Sequence, residues 1–153
     1  MFDFLLEDLN GIDKRKNKHL DNLASLIADN LKGPGCEVEK ETKIKNSFYG
    51  KKCDLSCSYP NGSFSIVELK SISSSFGKNF NNRIEELVGQ ATLWRNVLSA
   101  NKIGYVFVFH DEHGKYERYC DRLNEALKYF KSEKILDDFL LLKVSEGCVS
   151  LCS

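Results

Sequence analysis

The chain has no run approaching the ~18 consecutive apolar residues of a membrane-crossing helix. Its first residues, Met1-Phe2-Asp3-Phe4-Leu5-Leu6-Glu7-Asp8, lack the positively charged start of an export signal. Both absences predict an intracellular protein with no membrane role. An excess of charge is missing too: 22 Lys and Arg balance 22 Asp and Glu. No overall field then draws the chain to nucleic acid, and any attraction to phosphate must come from local clusters. Proline is scarce: the two present, Pro34 in Gly33-Pro34-Gly35 and Pro60 in Pro60-Asn61-Gly62, both mark stops or turns.

Several chemistries are excluded by what their motifs require. There is no G-x-S-x-G nucleophile elbow, and none of the six cysteines has the local signature of a nucleophile beside its base. Gly77-Lys78 lacks the earlier glycine and the following Ser or Thr of a phosphate-cradling loop. His110-Asp111-Glu112-His113-Gly114 does not have the helical H-E-x-x-H spacing of a zinc site and reads as a polar turn. In an intracellular setting the cysteines are expected as free thiols. Cys53/Cys57 and Cys148/Cys152 make two C-x3-C pairs, but small buried thiols on strands explain them more simply than four-thiolate zinc.

What is present is a chain of 153 residues, 42% apolar, enough for one domain with its own core. Apolar spacing predicts a short helix from Phe2 to Leu9, a core helix from Lys14 to Leu31 and a long helix from Asn81 to Ala100. Strands are predicted at Cys36 to Lys43, Lys52 to Tyr59 and Phe64 to Lys70 as an antiparallel meander, the last two joined by the Pro60 turn. Ser71 to Lys78 reads as a flexible loop. Ile103 to Phe109 is the most strand-like run, followed by a helix at Tyr119 to Phe130 and strands at Phe139 to Val144 and Cys148 to Leu151. The order implies an α/β domain with a mixed central β-sheet flanked by helices.

An acid two residues before a lysine occurs twice, at Glu41-Thr42-Lys43 and Glu68-Leu69-Lys70, about as often as chance gives. Context separates them. Phe64-Ser65-Ile66-Val67-Glu68-Leu69-Lys70 reads as a buried strand with two charges at its end, and buried charges need a reason, whereas Glu41 lies in a charged stretch. Alternation sends Glu68 and Lys70 to one face. If the hairpin centres near Asn61 and Gly62, Asp54 falls opposite residue 69, close enough for Asp54 and Glu68 to share one ion.

A helix, then an antiparallel pair bearing Asp and Glu-x-Lys, then a helix and another strand resembles the core of the PD-(D/E)xK nuclease superfamily, the restriction-endonuclease-like αβββαβ fold. The resemblance covers roughly Lys18 to Phe109, with Cys53 standing where the motif name has proline. It implies a divalent-metal-dependent phosphodiesterase: Asp54 and Glu68 as ligands of Mg2+ or Mn2+, and Lys70 as the catalytic lysine. Gln90 resembles a helix glutamine that several branches place near the metal, and Asp21 is the best match to an acid on the first core helix. The substrate is expected to be nucleic acid, DNA before RNA, with Lys43, Lys45, Lys51 and Lys52 on phosphate and Lys14-Arg15-Lys16 with Lys18 as a second cluster. A homodimer is a further expectation, because cutting two strands needs two sites. The competing reading is a nuclease-fold module that binds nucleic acid or a protein without cutting.

Overall fold

The structure, a computed structural model, describes residues 18–32, 35–72, 76–111, 114, 116–145 and 148–151. The helix expected at 2–9 and the basic cluster at 14–16 lie outside the described residues. Helix α1 (Lys18–Leu31) buries Leu23, Ile27 and Ala28, the stripe that its apolar spacing predicts. Strand β1 (Glu37–Lys40) follows, then a small hairpin of β2 (Lys43–Lys45) and β3 (Gly50–Lys52), then β4 (Leu55–Ser58) and β5 (Phe64–Ile72). Helix α2 (Phe76–Thr92) runs on into a π-helical turn at Leu93–Val97. Strand β6 (Lys102–His110), helix α3 (Glu117–Ser132), β7 (Asp138–Ser145) and β8 (Cys148–Leu151) complete the described chain.

Six strands form one mixed sheet in the order β1-β4-β5-β6-β7-β8. The β1, β4 and β5 strands make the expected antiparallel meander, while β5, β6 and β7 are parallel and connected through α2 and α3. The β4–β5 turn closes through Gly62, whose N–H donates to Tyr59 O over 2.9 Å with φ at 81°, a conformation open to glycine at little cost. Helices cover both faces. On one, α1 packs on Leu55, Val67, Leu69, Val106 and Val108. On the other, residues of α2, the π turn and α3 pack on Ile66, Tyr105, Phe107 and Phe109. No helix among the described residues is long and apolar enough to cross a membrane.

Three expectations are corrected. The strands predicted at 36–43 and 52–59 each break in two. Glu41 takes a φ of 53°, and the chain leaves the main sheet to form the β2–β3 hairpin before returning through Cys53 and Asp54. The stretch predicted as a flexible loop at 71–78 contains regular structure at both ends. Ser71 and Ile72 extend β5, held by pairing with Val108 and Phe109, and α2 begins at Phe76. Ladder hydrogen bonds override a serine-rich composition there. Finally, the cysteines are not all free: Cys36 and Cys57 form a disulfide with Cα atoms 6.1 Å apart, because β1 pairs with β4 and brings them side by side. Cys53 and Cys120 are buried and take no part in a disulfide.

Candidate active site

The site forms where β5 emerges from the antiparallel half of the sheet. Leu55 pairs with Val67, so one step along the ladder sets Asp54 beside Glu68. Asp54 lies in the break between β3 and β4, and its Oδ2 accepts the N–H of Leu69 over 2.7 Å. That bond fixes the carboxylate against β5 and leaves its second oxygen to face other groups. Glu68 is only 3% exposed. Its Oε1 accepts the indole N–H of Trp94 at 2.8 Å and lies 3.8 Å from the Lys51 ammonium. Burial pushes the Glu68 carboxyl up and the Asp54 charge adds to it, while Lys70, Trp94 and Lys51 pull it down; the net position is about 7 instead of 4.5.

Two residues further along β5, Lys70 extends on the same face and meets α2. Its Nζ lies 3.8 Å from Glu86 Oε1. Glu86 Oε2 accepts from Arg83 at 2.7 Å, and Oε1 accepts from the Gln90 amide at 2.9 Å. Burial raises the Glu86 carboxyl, but the Arg83 hydrogen bond and the Lys70 and Arg83 charges outweigh it and hold the group below the usual range. Gln90 Oε1 is buried and has no hydrogen-bond partner among the described residues, and the same is true of the Tyr105 hydroxyl. Tyr105 pairs with Glu68 in register across β5 and β6. Burial first, then the carboxylates of Glu68, Glu86 and Asp54, push its phenol above the ordinary range.

Of the residues expected from the sequence, Asp54, Glu68 and Lys70 are thus gathered at β5, and Gln90 is joined to Lys70 through Glu86. Asp21 is not brought to them. It is exposed on α1, which packs on the other face of the sheet. The lysines divide. Lys51 turns inward, 19% exposed, with its ammonium 5.7 Å from the Trp94 ring centroid, whereas Lys43, Lys45 and Lys52 face solvent and Lys52 pairs with Glu41 at 3.1 Å.

Sequence reasoning missed Glu86, Tyr105 and the polar role of Trp94. Glu86 precedes Gln90 by four residues and so shares its helix face, a spacing that could have paired them. Trp94 is completely buried. Its polar role depends on the π turn, in which Leu98 N–H donates to Leu93 O at 3.0 Å, a local rewinding that no periodicity reveals.

The donor set suits a hard cation. Asp54 and Glu68 each keep one carboxylate oxygen outside the hydrogen bonds just described, and magnesium characteristically takes one or two carboxylates with waters and substrate phosphate completing its shell. No third His, Cys, Asp or Glu joins them as a ready-made cluster among the described residues. The Cys53 thiol is unsuited to metal or nucleophilic work: burial, then the Glu68 carboxylate, push it up to about 12, and it donates to Thr42 O at 3.4 Å. Asp111 of the histidine-bearing turn is buried and accepts the N–H of Tyr116 at 3.1 Å, a structural tie at the start of α3.

No protein-family model, curated protein or solved structure matches the chain.

Proposed function

We propose that the protein is a divalent-metal-dependent nuclease hydrolysing phosphodiester bonds, DNA before RNA, on a restriction-endonuclease-like core. The element order α1, three antiparallel main-sheet strands, α2 and a parallel β6 supports that fold reading. The observation that carries the function is the burial of Glu68 beside Asp54, with Lys70 on the same face. Two adjacent acids, one of them raised to about 7, are an unfavourable arrangement for stability alone and a suitable one for holding a cation.

Bound magnesium or manganese would supply Lewis-acid stabilisation of charge on the attacked phosphate. The chain's own residues do the rest. Asp54 and Glu68 hold the cation, Asp54 oriented by the Leu69 N–H and Glu68 by the Trp94 indole. Lys70, kept at the site by Glu86, offsets negative charge on the transition state and orients the attacking water. Gln90, hydrogen-bonded to Glu86 beside Lys70, keeps a buried amide oxygen without a partner among the described residues. Lys43, Lys45 and Lys52 lie on the hairpin entering the site and offer contacts to phosphate.

Thermal melting over a magnesium or manganese titration tests the reading. A ligand that binds only the folded state stabilises by about 2.7 kcal/mol at a hundredfold excess over its dissociation constant, or several degrees for a chain of this size. Wild type is expected to gain that increment at millimolar metal and Asp54→Ala to lose it. No response in the wild type would instead favour a non-cutting binding module.

A further inference from the structure

The β2–β3 hairpin carries more than the proposed phosphodiester site uses. Its register pairs Lys43 with Lys52, Ile44 with Lys51 and Lys45 with Gly50. Directly opposed residues share a face and successive ones alternate, so Lys43, Lys45 and Lys52 crowd one face while Ile44 and Lys51 occupy the other. Ile44 packs against the core, and Lys51 reaches Glu68. On the outer face, a Cβ added to Gly50 would lie 3.1 Å from Lys45 Cβ and 3.2 Å from Lys43 Cε, so two lysine stems converge over a bare glycine. Lys51 and Lys52 each have an acid within ion-pair distance; Lys43 and Lys45 form no such pair among the described residues.

The tip is built rather than loose. Asn46 Oδ1 accepts the N–H groups of Phe48 at 3.1 Å and Tyr49 at 2.8 Å, and Asn46 N–H donates to Tyr49 O at 2.8 Å. The Asn46 amide also donates to Val97 O at 2.8 Å, tying the tip to the π turn that carries Trp94. Tyr49 tucks against the core. Phe48, its neighbour, is 79% exposed, more than any other large apolar side chain described. A fixed turn therefore presents an aromatic ring to water beside a lysine face.

Lysines that track phosphates and an aromatic ring that takes a base face are the two elements of single-strand recognition. In intact duplex the base faces are already stacked on one another, and an exposed ring gains a partner only where a base is unpaired. We infer that the β2–β3 hairpin is a single-strand grip: Lys43 and Lys45, with Lys52, hold the phosphates, and Phe48 stacks on an unpaired base. This inference deepens the nuclease reading and rests on it for the site's purpose, making the substrate a nucleic acid with a single-stranded stretch beside the bond to be cut.

Binding measured without metal separates the two claims. Fluorescence anisotropy of the full chain in EDTA, with labelled oligothymidine and with a fully paired duplex of equal length, is the direct experiment. Phe48→Ala is expected to weaken oligothymidine binding about tenfold or more, the size of one lost base–aromatic stack, and to change duplex binding less than twofold. Phe48→Tyr should restore it. Lys43→Ala with Lys45→Ala should flatten the dependence of log affinity on log salt by about one unit or more on the single strand. The grip is overturned if Phe48→Ala binds oligothymidine like wild type, if it loses both ligands equally, or if wild type binds neither. A wild type that grips oligothymidine through Phe48 but cuts nothing with magnesium or manganese keeps the grip and overturns the nuclease; cutting that ignores Phe48 in both binding and rate overturns the grip alone.

Discussion

Glu68→Gln is expected to abolish metal-dependent cutting while raising the melting temperature of the metal-free protein at pH 8. The first half follows from the proposed ligand role: the change removes one charge next to Asp54 and would leave one carboxylate to hold a cation. The second follows from proton linkage. Glu68 sits at about 7 in the folded protein against 4.5 for the unconstrained group, chiefly because it is buried. A folded-state value above the unfolded one means that the folded state binds the proton more tightly, so the stability it contributes is complete below pH 4.5 and lost as pH rises through about 7. Above that, folding carries an ionised buried carboxylate at a cost of roughly 3 kcal/mol. Metal-free wild type should therefore lose stability between pH 5 and pH 8, by a shift on the order of 5–10 °C. Glu68→Gln should be flatter across that window, since glutamine fills the same space, still accepts the Trp94 N–H and does not titrate. Melting curves in EDTA at several pH values measure it; an equally steep fall in the variant would remove Glu68 as the cause.

The largest stability loss should come from Trp94→Ala. The indole is fully buried, packs between α2 and the sheet and donates to Glu68, so its removal opens a cavity and strips the carboxylate of a donor. A truncation of this kind costs about 3–5 kcal/mol, a large part of the stability of an ordinary domain. Trp94→Phe separates packing from hydrogen bonding. It keeps most of the ring but leaves Glu68 Oε1 without the indole, so its penalty should be larger at pH 8, where the carboxylate is charged, than at pH 5. Urea unfolding at the two pH values checks this. A penalty independent of pH would mean that the Trp94 N–H does not hold the Glu68 charge.

Residues whose information is local were legible in the sequence. Glu68 and Lys70 share a face because a strand alternates, and the Pro60-Asn61-Gly62 turn set Asp54 near the end of β5, one residue from the observed ladder position. The mixed sheet flanked by helices followed from the way helices and strands alternate along the chain. What stayed hidden depends on contacts between distant segments or on backbone departures from the regular periods. Cys36 meets Cys57 only once β1 lies on β4. The β2–β3 hairpin exists because Glu41 takes a positive φ, which its residue type does not announce. Glu86 acquires meaning only when α2 lays it within reach of Lys70. The outward turn of Phe48 and the inward turn of Tyr49 cannot be told from two adjacent aromatics, since the Asn46 hydrogen bonds decide which of them faces the core.

The most direct measurement is cleavage of labelled single-stranded, duplex, branched and RNA substrates with magnesium or manganese, comparing wild type with Lys70→Ala and with Glu41→Ala. Both variants alter an acid-x-lysine tripeptide, but only one tripeptide lies at the proposed site. Wild type should cut at least one substrate. Lys70→Ala should lower that rate about a hundred- to a thousandfold, the usual loss when a transition-state charge partner is removed, and Glu41→Ala should turn over near wild type. No cutting by wild type on any substrate, or undiminished cutting by Lys70→Ala, would contradict the account.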